Sequence, residues 1–442
     1  MKKIFMWVFL FLLFAAGMSG AQDYDLDIDI DLIESFECEE AVASFSLYGY
    51  LVNFSTISLY ASGFRVEEAE MGNTLYLQLK GDSEPENGLH FHFETSYTGS
   101  TGNQNPLAIY EGYGSETDQD KHPYTDFVQS LAVDHLWGSA AVGPLDLQFG
   151  KMPIAWGTGY AFNPTARTAA SAFMETVSEE TPGTIGLAPS VQLGPGLALQ
   201  GYLAFQDKNH LTTAALSDGD FNNLPFGVKL QVAAGSFDLS AGFIKEVINS
   251  GSSYTRYYYL SGDFAGAVWN FGIYGEASLR FPGSGSSLSI DYSAYEPLDM
   301  LELVAGFDYT IPGIDVVSRV EYYHHGPGES SKDLYDNTKL LSGELMVQGE
   351  DYIFLHLERQ LFNYLTISAG GMFNLNDFSG VIFPDISYEL YSNFIVSMGG
   401  YLFAGGADTE FGGEYGPEPI DLTEPALYIR MKLSFSQGAA LG

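Results

Sequence analysis

The residues of this chain that could do chemistry are few and scattered. Cysteine occurs once and histidine 8 times in 442 residues. His90 and His92 fall on one face of an alternating stretch, with Glu94 beside them. Two imidazoles and a carboxylate form a metal-binding set, but wet barrel walls are full of such residues, and no metal is expected here. His324 and His325 adjoin Glu321 where an alternating segment meets a long loop at Gly326. Only one of two neighbouring histidines on a strand can face a lumen, which argues against a shared site. The sequence contains no Gly-x-Ser-x-Gly, no His-Glu-x-x-His, no phosphate loop and no Cys-x-x-Cys. Catalytic residues and a cofactor are therefore not expected, and the chain does not read as an enzyme.

Two loops carry most of the remaining candidates. Gly405–Glu424 holds Asp408, Glu410, Glu414, Glu418, Asp421 and Glu424 with no basic residue among them. The spacing is not that of a calcium-binding hand, so the expectation is a solvated acidic loop with at most weak divalent-cation binding. Gly157–Pro182 contains the Ala-rich, helix-prone stretch Ala166–Glu175, which carries Arg167 and Glu175. That stretch either folds inward and narrows a pore or caps it from outside.

The elements that must position these residues are strands. Leu427, Ile429, Met431, Leu433 and Phe435 alternate with Tyr428, Arg430, Lys432 and Ser434. The same sidedness recurs at Leu75–Lys80, Leu89–Thr95, Leu145–Phe149, Phe226–Val232, Phe271–Arg280, Leu301–Asp308 and Leu365–Gly370. One apolar face and one polar face along every strand suit a wall with lipid outside and water inside. Tight and long connections take turns along the chain. Gly194–Gly196, Ala234–Ser236, Ile311–Ile314 and Tyr391–Asn393 are tight. Gly99–Thr125, Gly157–Pro182, Asp207–Leu224, Gly326–Glu350 and Gly405–Glu424 are long. This is the pattern of an all-β transmembrane antiparallel β-barrel of about 18 strands, with short periplasmic turns and long external loops facing outward.

Charged residues on the polar faces form the candidate pore lining. On the wall they are Glu94, Asp146, Lys229, Glu276, Arg280, Glu302, Asp308, Arg319, Glu321, Glu358, Arg430 and Lys432, with Lys80 and Asp238 read as inward beside them. Arg167 and Glu175 would join from the long loop. The wall is thus mildly acidic, and most of the formal charge of −38 sits in loops and near the N-terminus. Such a balance disfavours nucleic acid and draws cations toward the mouths. Mean hydropathy is +0.01, as alternating strands give and membrane helices do not.

The N-terminus carries its own signals. Lys2 and Lys3 precede an apolar run from Ile4 to Ala16, followed by small Ser19 and Ala21. This reads as a signal peptide, residues 1–21, for Sec-type export. Residues 22–43 form an acidic arm that alternates acid and apolar residues from Asp25 to Asp31. The arm is either solvated or enters the lumen. The barrel is expected over residues 44–435 and a short tail over 436–442. Cys38 is the only cysteine, so no intrachain disulfide is possible.

Three motifs carry a family resemblance. Gly150-Lys151, Trp156-Gly157-x-Gly159 and Asn163-Pro164 resemble a signature of porin-like outer-membrane barrels. Asn374–Gly380 and Thr409–Gly412 resemble loops nearer the end of the same barrels. The group is broadly related to alginate-export-type channels. The resemblance implies a passive channel in outer-membrane lipid. It does not extend to alginate, a polyanion that would call for a basic lumen, and no substrate-binding residue is transferred. The reading is a porin for small polar solutes or ions, mildly cation-preferring. The alternatives are a surface structural or adhesive barrel with acidic loops, and an outer-membrane hydrolase.

Overall fold

The computed structural model describes residues 44–62, 65–84, 89–102, 127–168, 183–206, 223–249, 254–284, 289–290, 298–336, 339–340, 345–412 and 425–440. The expected signal peptide, the acidic arm and Glu175 lie outside the described residues.

The strands are β1 (Ser44–Ser62), β2 (Arg65–Glu84), β3 (Leu89–Gly102), β4 (Val128–Val142), β5 (Leu145–Met152), β6 (Thr184–Gly194), β7 (Leu197–Ala204), β8 (Phe226–Ala234), β9 (Phe237–Asn249), β10 (Tyr254–Val268), β11 (Phe271–Ser284), β12 (Ser289–Ile290), β13 (Leu301–Ile311), β14 (Val316–His325), β15 (Asp351–Leu361), β16 (Leu365–Asn374), β17 (Ser379–Tyr391), β18 (Phe394–Ala404) and β19 (Ala426–Ala440). β12 has two residues and pairs only with the end of β11. β11 pairs directly with β13, which leaves 18 strands around the wall. Each strand pairs antiparallel with its neighbours in sequence, and β1 closes the ring on β19 from Ser44↔Ala440 to Ser58↔Ala426. Closure leaves no open edge among the described strands, as a membrane-spanning sheet requires.

The sidedness read from the sequence holds. On β13, Phe307 is exposed, while Glu302 on the alternate face is buried. On β19, Leu427 through Phe435 point out, while Tyr428 and Arg430 are buried. The tight turns fall on one rim. Gly196 and Gly313 have positive φ there, a conformation that glycine adopts without a Cβ clash. Near that rim Trp269, Phe362, Tyr364, Tyr388 and Tyr391 are exposed, the aromatic girdle of a barrel at an interface.

Three expectations need correction. The last strand does not stop at Phe435, because residues 436–440 continue pairing with β1 through Ala440. The long-loop rim is not uniformly long: β9 and β10 are joined by residues 250–253, and β16 and β17 by 375–378. Most importantly, Gly157–Thr168 does not face outward. It lies inside the barrel, where Ala161, Phe162, Thr165 and Thr168 are buried.

Candidate functional site

The connection after β5 turns into the lumen because its backbone donors find acceptors there. Residues 153–168 form no regular element, so their N–H groups need partners from elsewhere. Two wall glutamates supply them. Glu276 on β11 accepts from the backbone N–H of Thr158 and Gly159, from Thr165 N at 3.2 Å and from Thr165 Oγ1 at 2.9 Å. Glu321 on β14 accepts from the N–H groups of Tyr160 (2.8 Å), Ala161 (3.1 Å) and Phe162 (2.7 Å), and from Tyr274 OH (3.0 Å). Both carboxylates are buried. Hydrogen bonds to a charged acceptor contribute about 1.5–3 kcal/mol each, so two such clusters are a firm anchor.

Glycine lets the segment come this close. Gly157 has a φ of 101°, and a Cβ there would run into the side-chain oxygens of Asn163, Thr165 and Glu276. Packing completes the seat. Phe162 stacks on Tyr323 with centroids 4.4 Å apart, and Trp156 meets Tyr202 edge-on at 4.8 Å. Phe162 belongs to a cluster with Tyr352, Phe354 and Phe411, and Trp156 to another with Tyr257, Tyr259 and Ile244. The segment thus packs against both β7–β10 and β11–β17.

Charged side chains surround the seated segment. Arg167 Nη2 lies 2.5 Å from Glu302 Oε1, and its guanidinium covers the Tyr259 ring at 4.1 Å. Tyr323 OH donates to Glu302 Oε2 at 3.0 Å, and His325 Nδ1 lies 2.9 Å from the same hydroxyl. Arg319 pairs with Asp308 at 2.6 Å and covers the Tyr160 ring at 3.7 Å. Thr158, Gly159, Tyr160, Tyr274, Asp308 and Arg319 line a cavity of about 300 Å³ at this point. Lys229 sits over Trp156, Arg280 over Tyr257 and Lys432 over Tyr50.

The candidate lining residues therefore sort into groups. Glu276, Glu321, Glu302 and Arg167 come together, but as the anchor of the inward segment rather than as free wall charges. Asp308 and Arg319 stand at its tip. Lys229, Arg280 and Lys432 lie over aromatic rings, and Arg430 is buried on β19. Glu94 belongs to a separate buried group with Lys80, His92 and His135. Asp146 and Glu358 are exposed on strand ends close to the tight turns. His324 and His325 part as expected: His325 joins Glu302, and His324 lies 2.9 Å from Asp351. Strand alternation does not mark Tyr160, Phe162 or Trp156 as site residues. Their signal is a glycine-flanked run without periodicity.

The three motifs meet. Asn374 Nδ2 donates to Glu410 Oε2 at 2.7 Å, and Asp377 accepts from Ser379 N and from Glu410 N at 2.8 and 2.7 Å. Gln348 N donates to Glu410 Oε1 at 2.9 Å, and the Tyr352 hydroxyl donates to Glu410 Oε2. Phe411 N donates to Ser379 Oγ at 3.1 Å, and the Phe411 ring joins the cluster that holds Phe162. The loop motifs clasp one another at the rim above the inward segment.

No protein-family profile and no curated protein matches the chain. Solved structures do. OccAB3 of Acinetobacter baumannii aligns over 89% of this chain and 99% of its own, with 11% identity and a TM-score of 0.51. OccK9 (OpdG) of Pseudomonas aeruginosa aligns over 91% of this chain and 100% of its own, with 11% identity and a TM-score of 0.51. These neighbours are outer-membrane porins. At such identity the likeness is one of fold: a closed antiparallel barrel of 18 strands.

Proposed function

We propose that this chain is an outer-membrane porin through which small polar solutes diffuse passively. The observation that carries the reading is the segment 153–168, seated inside a closed barrel on Glu276 and Glu321. A barrel of this size encloses an aqueous lumen unless something fills it. An inward segment fixed by buried carboxylates narrows such a lumen without needing a substrate to hold it in place. At the tip of that segment Tyr160 meets Asp308 and Arg319 of the wall, a polar surface with both signs of charge. The fold of the porin neighbours supports the same reading. The proposal includes Sec-type export after cleavage at Ala21, residence in outer-membrane lipid and weak divalent-cation binding at acidic loops. It also includes kinship with alginate-export-type channels, which rests on the three motifs.

The channel is proposed to be mildly cation-preferring. Glu276, Glu302 and Glu321 are engaged in internal bonds, so the preference belongs to acids at the mouths rather than along the wall. Reconstitution in a planar bilayer under a salt gradient tests both parts. Stepwise conductance with a reversal potential on the cation side is expected. Absence of conductance from correctly folded barrels would leave the adhesive-barrel alternative standing instead.

A further inference from the structure

We propose that the wall between β3 and β4 holds a binding site for a first-row transition-metal cation of the Zn²⁺ class, with His92, Glu94 and His135 as ligands. Strand alternation groups His90, His92 and Glu94, where no metal is expected, and leaves His135 outside that group. Tertiary structure supplies it. β3 and β4 pair Glu94 with His135 but Thr95 with Val133, so Asp134 is an extra residue and β4 bulges there. A bulge re-aims the side chains beside it. Here His135 comes into the row that already holds His92 and Glu94.

The donor atoms converge. His92 Nε2 lies 2.8 Å from Glu94 Oε1, and His135 Nδ1 lies 3.2 Å from Glu94 Oε2. One ligand atom from each residue falls within 4.8 Å of the others. With metal–ligand bonds of about 2.0–2.2 Å, the corners of a tetrahedron stand about 3.4 Å apart. Small side-chain adjustments therefore close the set. The two imidazole rings, 6.0 Å apart between centroids, are tilted rather than stacked. Two nitrogens and one carboxylate oxygen are the donors of an open zinc site, whose fourth position takes water.

The surroundings are those of a ligand set as well. His92 Nδ1 lies 2.7 Å from Asp82 Oδ1. A carboxylate behind a histidine fixes the tautomer that presents Nε2 to a metal. Trp137 stacks on the His92 ring at 5.2 Å and meets His90 edge-on at 5.0 Å, which restricts ring rotation. Two contacts compete: Lys80 Nζ lies 3.4 Å from Glu94 Oε1, and Gln78 Nε2 donates to Glu94 Oε2 at 3.0 Å. A bound dication would displace that ammonium along its flexible stem, so Lys80 weakens the site rather than forming it.

The test uses the full-length barrel, folded in detergent and stripped with chelator, titrated with Zn²⁺ alone by calorimetry. One saturable site per chain is expected. It should be lost in the His92→Ala/His135→Ala double variant and weakened about 10–100-fold by Asp82→Asn, as for other supporting carboxylates. Lys80→Met should tighten it several-fold, and this variant retains the full ligand set should the double variant fail to fold. Co²⁺ in place of Zn²⁺ should show the ligand-field spectrum of a site with nitrogen donors. Absence of a saturable site, or a site that survives loss of both histidines, overturns the proposal. Affinity unchanged in Lys80→Met overturns it too.

Discussion

Glu321 and Glu276 do the work of turning a loop into part of the lumen. Each is a strand residue whose carboxylate gathers donors from residues 158–165. Truncating Glu321 to Ala leaves the N–H groups of Tyr160, Ala161 and Phe162 without their acceptor, at about 1–3 kcal/mol for each buried donor left unpaired. The segment should then leave its seat. Expected results are a larger single-channel conductance and protease cleavage between Gly157 and Thr165, with Glu321→Gln intermediate. Unchanged conductance and protection would mean that aromatic packing alone holds the segment. At the rim, burial pushes the Glu410 carboxyl up to about 7, against the donors Tyr352, Gln348 and Asn374. A carboxyl with a raised value binds its proton more tightly in the clasped state than in the open one. The clasp is accordingly strongest below the usual value of 4.5 and weakens as pH rises through about 7. A spin label at Ala407, with Cys38 replaced by Ser, should be more mobile at alkaline than at mildly acidic pH. Glu410→Gln should flatten that dependence.

Strands carry the next scale of prediction. On β19 the exposed row Leu427, Ile429, Met431 and Leu433 faces outward. An Arg at Ile429 should cost roughly 2–4 kcal/mol near the bilayer midplane, and one at Ser434 much less. Refolding equilibria into lipid vesicles measure the difference, and equal costs on the two faces would contradict a lipid-facing row. Tyr428 is an unsuitable inward control. It is buried, packs on Phe54 with centroids 5.3 Å apart and donates to Asp385 at 2.9 Å. Replacing it costs packing whichever way it faces. The bulge in β4 belongs to this scale too, because one extra residue sets which side His135 takes.

Over the whole molecule, charge is unevenly placed. The chain carries 56 acidic and 18 basic residues, yet several of the wall acids are engaged in anchors and ion pairs. Acids at a mouth raise local cation concentration only within about a Debye length, roughly 10 Å at 0.1 M salt. A moderate cation preference at low salt that fades as salt rises is the expected behaviour. Neutralising the acids of Gly405–Glu424 other than Glu410, which belongs to the clasp, should weaken it and leave conductance at high salt similar. Anion preference at low salt in a bilayer recording would point instead to Arg319, Arg430 and Lys432 as a basic constriction.

The barrel was legible in the sequence because its information is local. A period of two with one consistent apolar face, repeated along the chain, specifies strands, sidedness and the alternation of rims. That is why β19 and β13 present the faces their letters suggest. Glu94, Glu276, Glu302 and Glu321 fall on the polar face by the same alternation and are buried, but their partners are not legible from it. Glu276 meets Thr158 across 118 positions of sequence and Glu321 meets Tyr160 across 161, separations at which alternation carries no signal. An irregular segment has no period, so whether 153–168 lies in or out depends on which wall carboxylates can satisfy its amides. The same holds for the strand continuing through Ala440, set by the length of its partner β1, and for His135, set by a bulge. Sequence alone determined a lipid-facing shell around a polar interior. The tertiary structure decided which of the interior charges are spent on holding the loop and which are left to meet a solute.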